Sequence, residues 1–153
     1  MKNNIFDSSI QQATLARINN LSDNTLPLWG KMNVNQVICH MTDPLRDFLN
    51  LRQVKPAVPR IMAPLLRLMI LTNSNWKPGT PTLKIYDQLK ELSTKPTHFE
   101  SDKNTLVDLF KKLSNTDENY SFGAHPALGN MKRDQLGFFV WKHSDHHLRQ
   151  FGV

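Results

Sequence analysis

Two histidines, His143 and His147, stand four residues apart in the segment WKHSDHHLRQF at 141–151. An ideal helix turns about 100° per residue, so these two side chains share one face, and Leu136 and Phe139 fall on that face as well. An imidazole buried among apolar side chains is costly unless it is hydrogen-bonded, whereas two neutral imidazoles one turn apart can bind the same metal ion. The spacing therefore favours a metal site, with a pair of hydrogen-bonded core histidines as the alternative.

A metal ion needs a third ligand from elsewhere in the chain. The HExxH pattern of zinc proteases is absent, since no glutamate separates the two histidines. His40, in VICHMTDPL, is the best candidate and lies at the edge of the apolar face of its predicted helix. Pro44 lacks the amide that would bond to the His40 carbonyl, which predicts a kink or a loosened turn beside the candidate ligand. A hydrogen-bonded core histidine is the alternative here too.

The remaining histidines have different expected positions. His146 is turned by about 100° from its neighbour His147, so it is expected to border the pocket or to lie at the surface. His98, in the loop KPTHFES, is expected to be exposed. His125 precedes Pro126, which favours an extended turn, and it is the candidate to contact substrate at the mouth of a pocket.

Some side chains are candidates to orient the ligands. Imidazoles that bind metal usually donate their other N–H to an oxygen atom. Asp43, Asp47 and Gln150 can supply such an oxygen, and His146 is a further candidate around the site. Asp47 follows His40 by seven residues, close to two helical turns, so it is the acid expected to share the face of His40.

Other catalytic schemes find little support. The chain contains no GxSxG elbow, no Walker loop and no GxGxxG motif. Its single cysteine, Cys39, cannot form an internal disulfide and is interpreted as a small core residue. Cys39 and His40 are adjacent, so on a helix they project from different faces.

The charge is positive but spread along the chain. The net charge is +6 and the isoelectric point is near 9.6. Six basic residues and no acid lie between positions 52 and 86: Arg52, Lys55, Arg60, Arg67, Lys77 and Lys84. No nucleic-acid motif accompanies them, so nucleic acid is not an expected partner. A solvated basic face or a rim that attracts small anions are the two interpretations.

The whole chain predicts a single domain over residues 1–153. The N-terminal stretch MKNNIFDSSIQQ lacks the apolar region of a signal peptide, and no apolar run approaches the roughly 18 residues of a membrane span. A cytoplasmic protein that does not enter a membrane is therefore expected.

Periodicity predicts an all-α fold. Apolar residues recur at helical spacing over 8–21, with Asp7 or Ser8 as the cap, and over 33–51, with Asn33 as the cap. A third helix is expected from Ser101 or Asp102 to 115, and a fourth over 131–151 with Asn130 as its cap. Five of the nine prolines fall between 55 and 82, around the short apolar segment at 61–71. The prediction is a four-helix bundle whose long central crossover contains one short extra helix and packs on the bundle or covers a pocket.

These motifs resemble the DinB/YfiT-like superfamily of bacterial metalloproteins. The resemblance rests on a histidine in the second helix and on HxxxHxxQ in the last helix, here His143, His147 and Gln150. An uncharacterised branch of that superfamily carries HPxxG and ends in HHLRQFG, which here are 125–129 and 146–152. The resemblance implies an up-down-down-up bundle in which His40, His143 and His147 bind a divalent zinc or nickel ion. Lys132 departs from the capping Ser or Thr of the relatives.

The resemblance also implies chemistry, because several members of the superfamily transfer small thiols such as bacillithiol, mycothiol or glutathione. The leading hypothesis is a metal-dependent enzyme that transfers a low-molecular-weight thiol to an electrophile, with Arg52, Lys55, Arg60 or Arg67 attracting carboxylates. A metal-dependent hydrolase or isomerase is the first rival. A non-catalytic, metal-stabilised bundle that acts through its basic surface is the second. Bundles of the DinB/YfiT-like superfamily are often dimers, so the resemblance also implies a homodimer.

Overall fold

The computed structural model describes residues 3–72, 76–80, 82–88, 90 and 93–153. Within these ranges the fold is all-helical, as predicted, and contains no β-strand. The five α-helices are α1 (Ser8–Asn19), α2 (Val34–Phe48), α3 (Ala63–Thr72), α4 (Phe99–Ser114) and α5 (Arg133–Gln150). Two short 3₁₀ turns, at Arg60–Met62 and Lys84–Tyr86, lie in the long connection between α2 and α4.

The four longer helices form a ring of neighbours. Helices α1 and α2 each pack against both α4 and α5. The shared core between them is apolar and includes Ile18, Phe48, Phe110, Leu136 and Leu148. This packing is that of a helical bundle, while the up-down-down-up order of the helices stays an expectation.

Helix α2 begins where the sequence predicts. The side-chain oxygen of Asn33 accepts a hydrogen bond from the Gln36 amide at 2.8 Å, and the Gln36 side chain accepts one from the Asn33 amide at 2.9 Å. This reciprocal capping box satisfies two amides that have no partner inside the helix. The helix continues through Pro44, so the predicted loosening does not break it. Its length brings both His40 and Asp47 into the interior.

Other predicted boundaries need correction. Helix α4 begins at Phe99, earlier than expected, because Asp102 does not cap the helix but accepts hydrogen bonds from the amide and hydroxyl of Thr97 at 2.7 and 2.9 Å. The predicted cap of the last helix, Asn130, is also wrong. Helix α5 begins after Lys132, whose amide donates to the Gln135 side chain at 3.1 Å.

The long connection carries the predicted short helix, α3, which packs against α5. The 3₁₀ turn Lys84–Tyr86 was not predicted, and it packs against α2. The connection therefore packs on the bundle beside the candidate ligands, which is one of the two arrangements predicted from the sequence. In the described part of the chain no helix is both long enough and apolar enough to cross a membrane.

Candidate metal centre

Three histidines meet in the interior of the bundle. His40 comes from α2, and His143 and His147 come from successive turns of α5. One nitrogen of each ring lies within 4.8 Å of the corresponding nitrogens of the other two. The Nε2 atoms of His40 and His143 are 3.0 Å apart. Packing of α2 against α5 thus brings together the three residues that the sequence proposed as one site.

Two of the three rings are held by their outer nitrogen. The Nδ1–H of His40 donates to the carbonyl of Tyr86 at 2.7 Å. The Nδ1–H of His147 donates to Oε1 of Gln150 at 2.9 Å, and the Gln150 amide group donates to the Trp29 carbonyl at 2.8 Å. Because Nδ1 carries the proton in both rings, the lone pair of each ring lies on Nε2.

Burial keeps these imidazoles neutral. His40, His143 and His147 are 3%, 9% and 7% exposed. Loss of solvation lowers the pKa of His40, and it lowers the pKa of His143 and His147 well below the ordinary value, helped by the charges that neighbouring histidines would carry. Neutral imidazole is the form that binds metal, so no proton has to be removed near neutral pH.

The chemistry of three neutral imidazoles suits a divalent ion, and one pair of nitrogens already lies near the separation of two ligands. At a metal–nitrogen distance near 2.05 Å, two tetrahedral ligands have their nitrogens about 3.3 Å apart. The 3.0 Å separation of the His40 and His143 nitrogens is close to that value. An ion held by three nitrogen ligands would have a coordination position left for water or another ligand.

Asp47 supports His40 indirectly and does not accept the hydrogen bond from its ring. The structure pairs His40 with the Tyr86 carbonyl, while Asp47 accepts a hydrogen bond from the Tyr86 hydroxyl at 2.5 Å and from Arg52 Nε at 2.7 Å. Asp47 therefore positions the residue that positions His40. Tyr86 was missed by sequence reasoning, because a backbone carbonyl 46 residues away leaves no local signal.

The other acid on α2 belongs to the same network. Asp43 is fully buried and accepts hydrogen bonds from Arg52, Thr94 and Gln88. It does not contact His40 directly in the described residues. Arg52 consequently bridges two buried carboxylates. It is therefore not available to attract the carboxylate of a substrate, and the role suggested for it from the sequence is wrong.

The remaining basic candidates are also placed away from the metal centre. Arg67 donates to the carbonyls of Leu128 and Asn130. Lys55 and Arg60 are exposed. The single thiol, Cys39, is 2% exposed, and burial raises its pKa to about 12, with the negative charge of Asp102 acting in the same direction. Cys39 is thus a core residue, as predicted.

The three remaining histidines lie in different environments. His98 is exposed, as expected. His146 is buried, packs with Trp29, Trp76 and the ring of His147, and its Nδ1 has no hydrogen-bond partner among the described residues. His125 is buried as well and lies on the wall of a cavity that reaches the metal centre.

Two cavities adjoin the three-histidine cluster. The first, of about 280 Å³, lies on the side of α3 and is lined mainly by apolar residues, with His40, His143 and His125 among the few polar ones. The second, of about 180 Å³, reaches all three ligands and is bordered by Trp29, Lys31, His146 and Gln150. His40, Trp76 and His143 line both. A ligand in either cavity can therefore approach the three-histidine cluster.

Fold and site together define a helical-bundle protein with a buried three-histidine cluster beside two cavities. The chain belongs to the family DUF1569, described as a protein of unknown function, whose model matches residues 6–152. Neither the curated proteins nor the solved structures contain a match to the chain.

Proposed function

We propose that this protein binds one divalent ion, zinc or nickel, through His40, His143 and His147 and transfers a small cellular thiol to an electrophile. The proposal rests on one observation: three buried, neutral imidazoles converge, and the hydrogen bonds of His40 and His147 through Nδ1 leave the lone pair of each ring on Nε2, with His40 Nε2 3.0 Å from His143 Nε2. The same arrangement is what a kinship with the DinB/YfiT-like bundles would require, and that kinship is part of the proposal.

The surroundings favour thiol over water as the nucleophile. A divalent ion at this position would lower the pKa of an adjacent thiol or water toward neutrality. Among the described residues no carboxylate lines either cavity, so no Asp or Glu there is placed to act as the general base for attack by water. A thiol ionises far more readily than water and depends less on such a base. Lys31, at the border of the second cavity, provides the positive charge that a carboxylate-bearing thiol would need.

Metal content tests the first half of the proposal. Protein produced without a metal-affinity tag should contain about one zinc or nickel ion per chain by elemental analysis. His40→Ala and His147→Ala should lose it, because two imidazoles hold the ion far more weakly than three. Gln150→Ala should lower the affinity by about 10- to 100-fold, since it frees the His147 ring. The exposed residue His98 provides the control, and His98→Ala should bind metal as the wild type does.

Thiol transfer tests the second half. Metal-loaded protein is mixed with bacillithiol, mycothiol or glutathione and 1-chloro-2,4-dinitrobenzene, and the thioether is followed by its absorbance. The sulfur–carbon bond forms, chloride leaves and the thiol proton passes to solvent. We expect turnover with at least one thiol and none in His147→Ala.

Three results would contradict parts of the proposal. Absence of saturable metal binding would remove the site itself. Metal binding with hydrolysis of esters but no thiol transfer would favour the hydrolase. Metal binding with no exchangeable water in the coordination shell would favour a non-catalytic bundle.

A further inference from the structure

His125 is fixed in one tautomer by its own loop. Its Nδ1 accepts hydrogen bonds from the amides of Ala127 and Leu128, both at 3.1 Å. The backbone of His125 also pairs with Gly129 in both directions, at 3.1 and 2.9 Å, which closes the loop on itself. An Nδ1 that accepts cannot carry the proton, so the ring donates from Nε2.

The Nε2–H group is left for a ligand. The ring packs against Tyr86 and Phe139, with centroids 5.5 and 5.2 Å away. Burial lowers the pKa of His125 to about 3, so the ring is neutral at physiological pH. Within the described part of the chain, Nε2 has no hydrogen-bond acceptor. Because the ring lines a cavity, a bound molecule can supply an acceptor to this donor.

The cavity around this donor is apolar. Its wall combines aliphatic side chains such as Leu66, Ile70 and Leu128 with the rings of Trp76 and Phe139. No Asp, Glu, Lys or Arg appears among the described residues that line it. A charged ligand would lose its hydration here without gaining an ion pair, whereas a neutral apolar ligand would not.

The cavity also leads to the metal centre, because His40 and His143 form part of its wall. A molecule held by His125 therefore has the metal ligands within the same cavity. Its volume of about 280 Å³ is at the lower end of the range for ligand sites, which restricts the occupant to a small molecule.

We propose that this cavity binds the electrophile, a small, neutral, largely apolar molecule carrying one hydrogen-bond acceptor, and that His125 Nε2–H donates to that acceptor. The inference rests on the proposed function, since it assigns one of the two cavities to one of the two reactants. The same hydrogen bond would stabilise negative charge that develops on the acceptor during attack by the thiol.

The test uses NMR titration of protein with ¹⁵N-labelled histidine, as purified and after removal of metal by a chelator. Acetophenone, which has one carbonyl acceptor, is compared with ethylbenzene, which has the same ring but no acceptor. We expect the His125 Nε2–H resonance to shift with acetophenone and acetophenone to bind more tightly than ethylbenzene. Because acetophenone binding is measured with and without metal, the role of His125 can be tested even if the protein proves to bind no metal.

His125→Asn is the matched variant. An asparagine side-chain oxygen can still accept from the Ala127 and Leu128 amides, as in an Asx turn, but it offers no donor at the position of Nε2. We expect the affinity for acetophenone to fall by about five- to tenfold and that for ethylbenzene to stay unchanged. Leu66→Trp, which fills the cavity, should abolish binding of both molecules while retaining metal.

The inference would be overturned in three ways. Unchanged acetophenone affinity in His125→Asn would remove the hydrogen bond. Loss of acetophenone binding on metal removal alone would show that the ketone binds the metal instead. Absence of binding by either molecule to the wild type would show that the cavity is not a ligand site.

Discussion

At the scale of single residues, His40, His147 and His125 each use Nδ1 in a hydrogen bond that fixes the position of the ring. His40 and His147 give Nδ1–H to Tyr86 and Gln150 and keep Nε2 for the metal centre. In His125 the proton is on the other nitrogen, since Nδ1 accepts from the loop amides and Nε2 therefore carries the hydrogen; the ring lines a cavity. Tautomers are thus set by backbone and amide partners rather than by the histidines themselves.

Burial of His125 predicts a pH dependence of stability. Its pKa is about 3 in the folded protein and ordinarily 6.5, so below pH 6.5 the unfolded chain binds a proton that the folded protein does not. The contribution to stability is complete above pH 6.5 and declines as the pH falls toward 3, by about 1.4 kcal/mol per pH unit.

Urea unfolding at pH 7, 5.5 and 4.5 measures this decline. His125→Asn has no titrating group at this position, so its free energy of unfolding should fall less steeply with decreasing pH than that of the wild type. Parallel pH profiles would show that the pKa of His125 does not differ between the folded and unfolded protein.

At the scale of elements, the end of α2 builds the support for the metal centre. The amides of Asn50 and Leu51 bond to the carbonyls of Asp47 and Arg46 at 3.1 and 2.8 Å, and Asn50 has a φ of 57°. This is a Schellman ending, for which asparagine is one of the few suitable residues. It turns the chain back, so that Arg52 reaches the two carboxylates on the helix it has just left.

Arg52 is expected to be important for stability rather than for substrate binding. Arg52→Met removes the cation that Asp43 and Asp47 share. Both carboxylates remain buried, since Asp43 is 0% and Asp47 is 2% exposed. We expect the free energy of unfolding to fall by about 3 kcal/mol, because an unpaired buried charge is strongly unfavourable. Chemical denaturation measures the loss, and Lys55→Met, at an exposed position, should change stability by less than about 0.5 kcal/mol. Equal effects of the two substitutions would contradict the network.

At the scale of the whole molecule, the candidate metal centre lies between two helices that are distant in sequence. The ligands come from α2 and α5, and the long connection between α2 and α4 covers them through Tyr86 and the cavity walls. A separate feature is a row of exposed apolar side chains around α3, including Ile61, Leu65 and Leu68. The expected homodimer stays a prediction.

Metal should stabilise the entire fold, because an ion that binds only the folded state shifts the unfolding equilibrium. At a free zinc concentration 100 times the dissociation constant, the gain is about 2.7 kcal/mol. For a chain of this size we expect the melting temperature to rise by about 5–10 °C. Calorimetry of metal-free protein with and without added zinc measures the rise, which should be absent in His147→Ala and retained in His98→Ala. An equal rise in His147→Ala would place the ion elsewhere.

The sequence by itself determined the helices and the residues of the candidate metal centre. Hydrophobic periodicity and the Asn33 cap are local properties, and the four-residue spacing of His143 and His147 places them on one face of any helix. Helix boundaries were predicted less accurately. Helix α5 begins after Lys132 and not after Asn130, because the Gln135 side chain accepts a hydrogen bond from the Lys132 amide.

Only the tertiary structure decided what surrounds these residues. The carbonyl of Tyr86, the bridge of Arg52 between Asp43 and Asp47, and the free Nε2–H of His125 all depend on contacts between segments far apart in the chain or on how a loop closes. Residue type and spacing do not encode such contacts, because they arise when helices pack. The sequence therefore identified the histidines of the candidate centre, and packing determined the tautomers of His40 and His147, the charges around the cluster and the two cavities beside it.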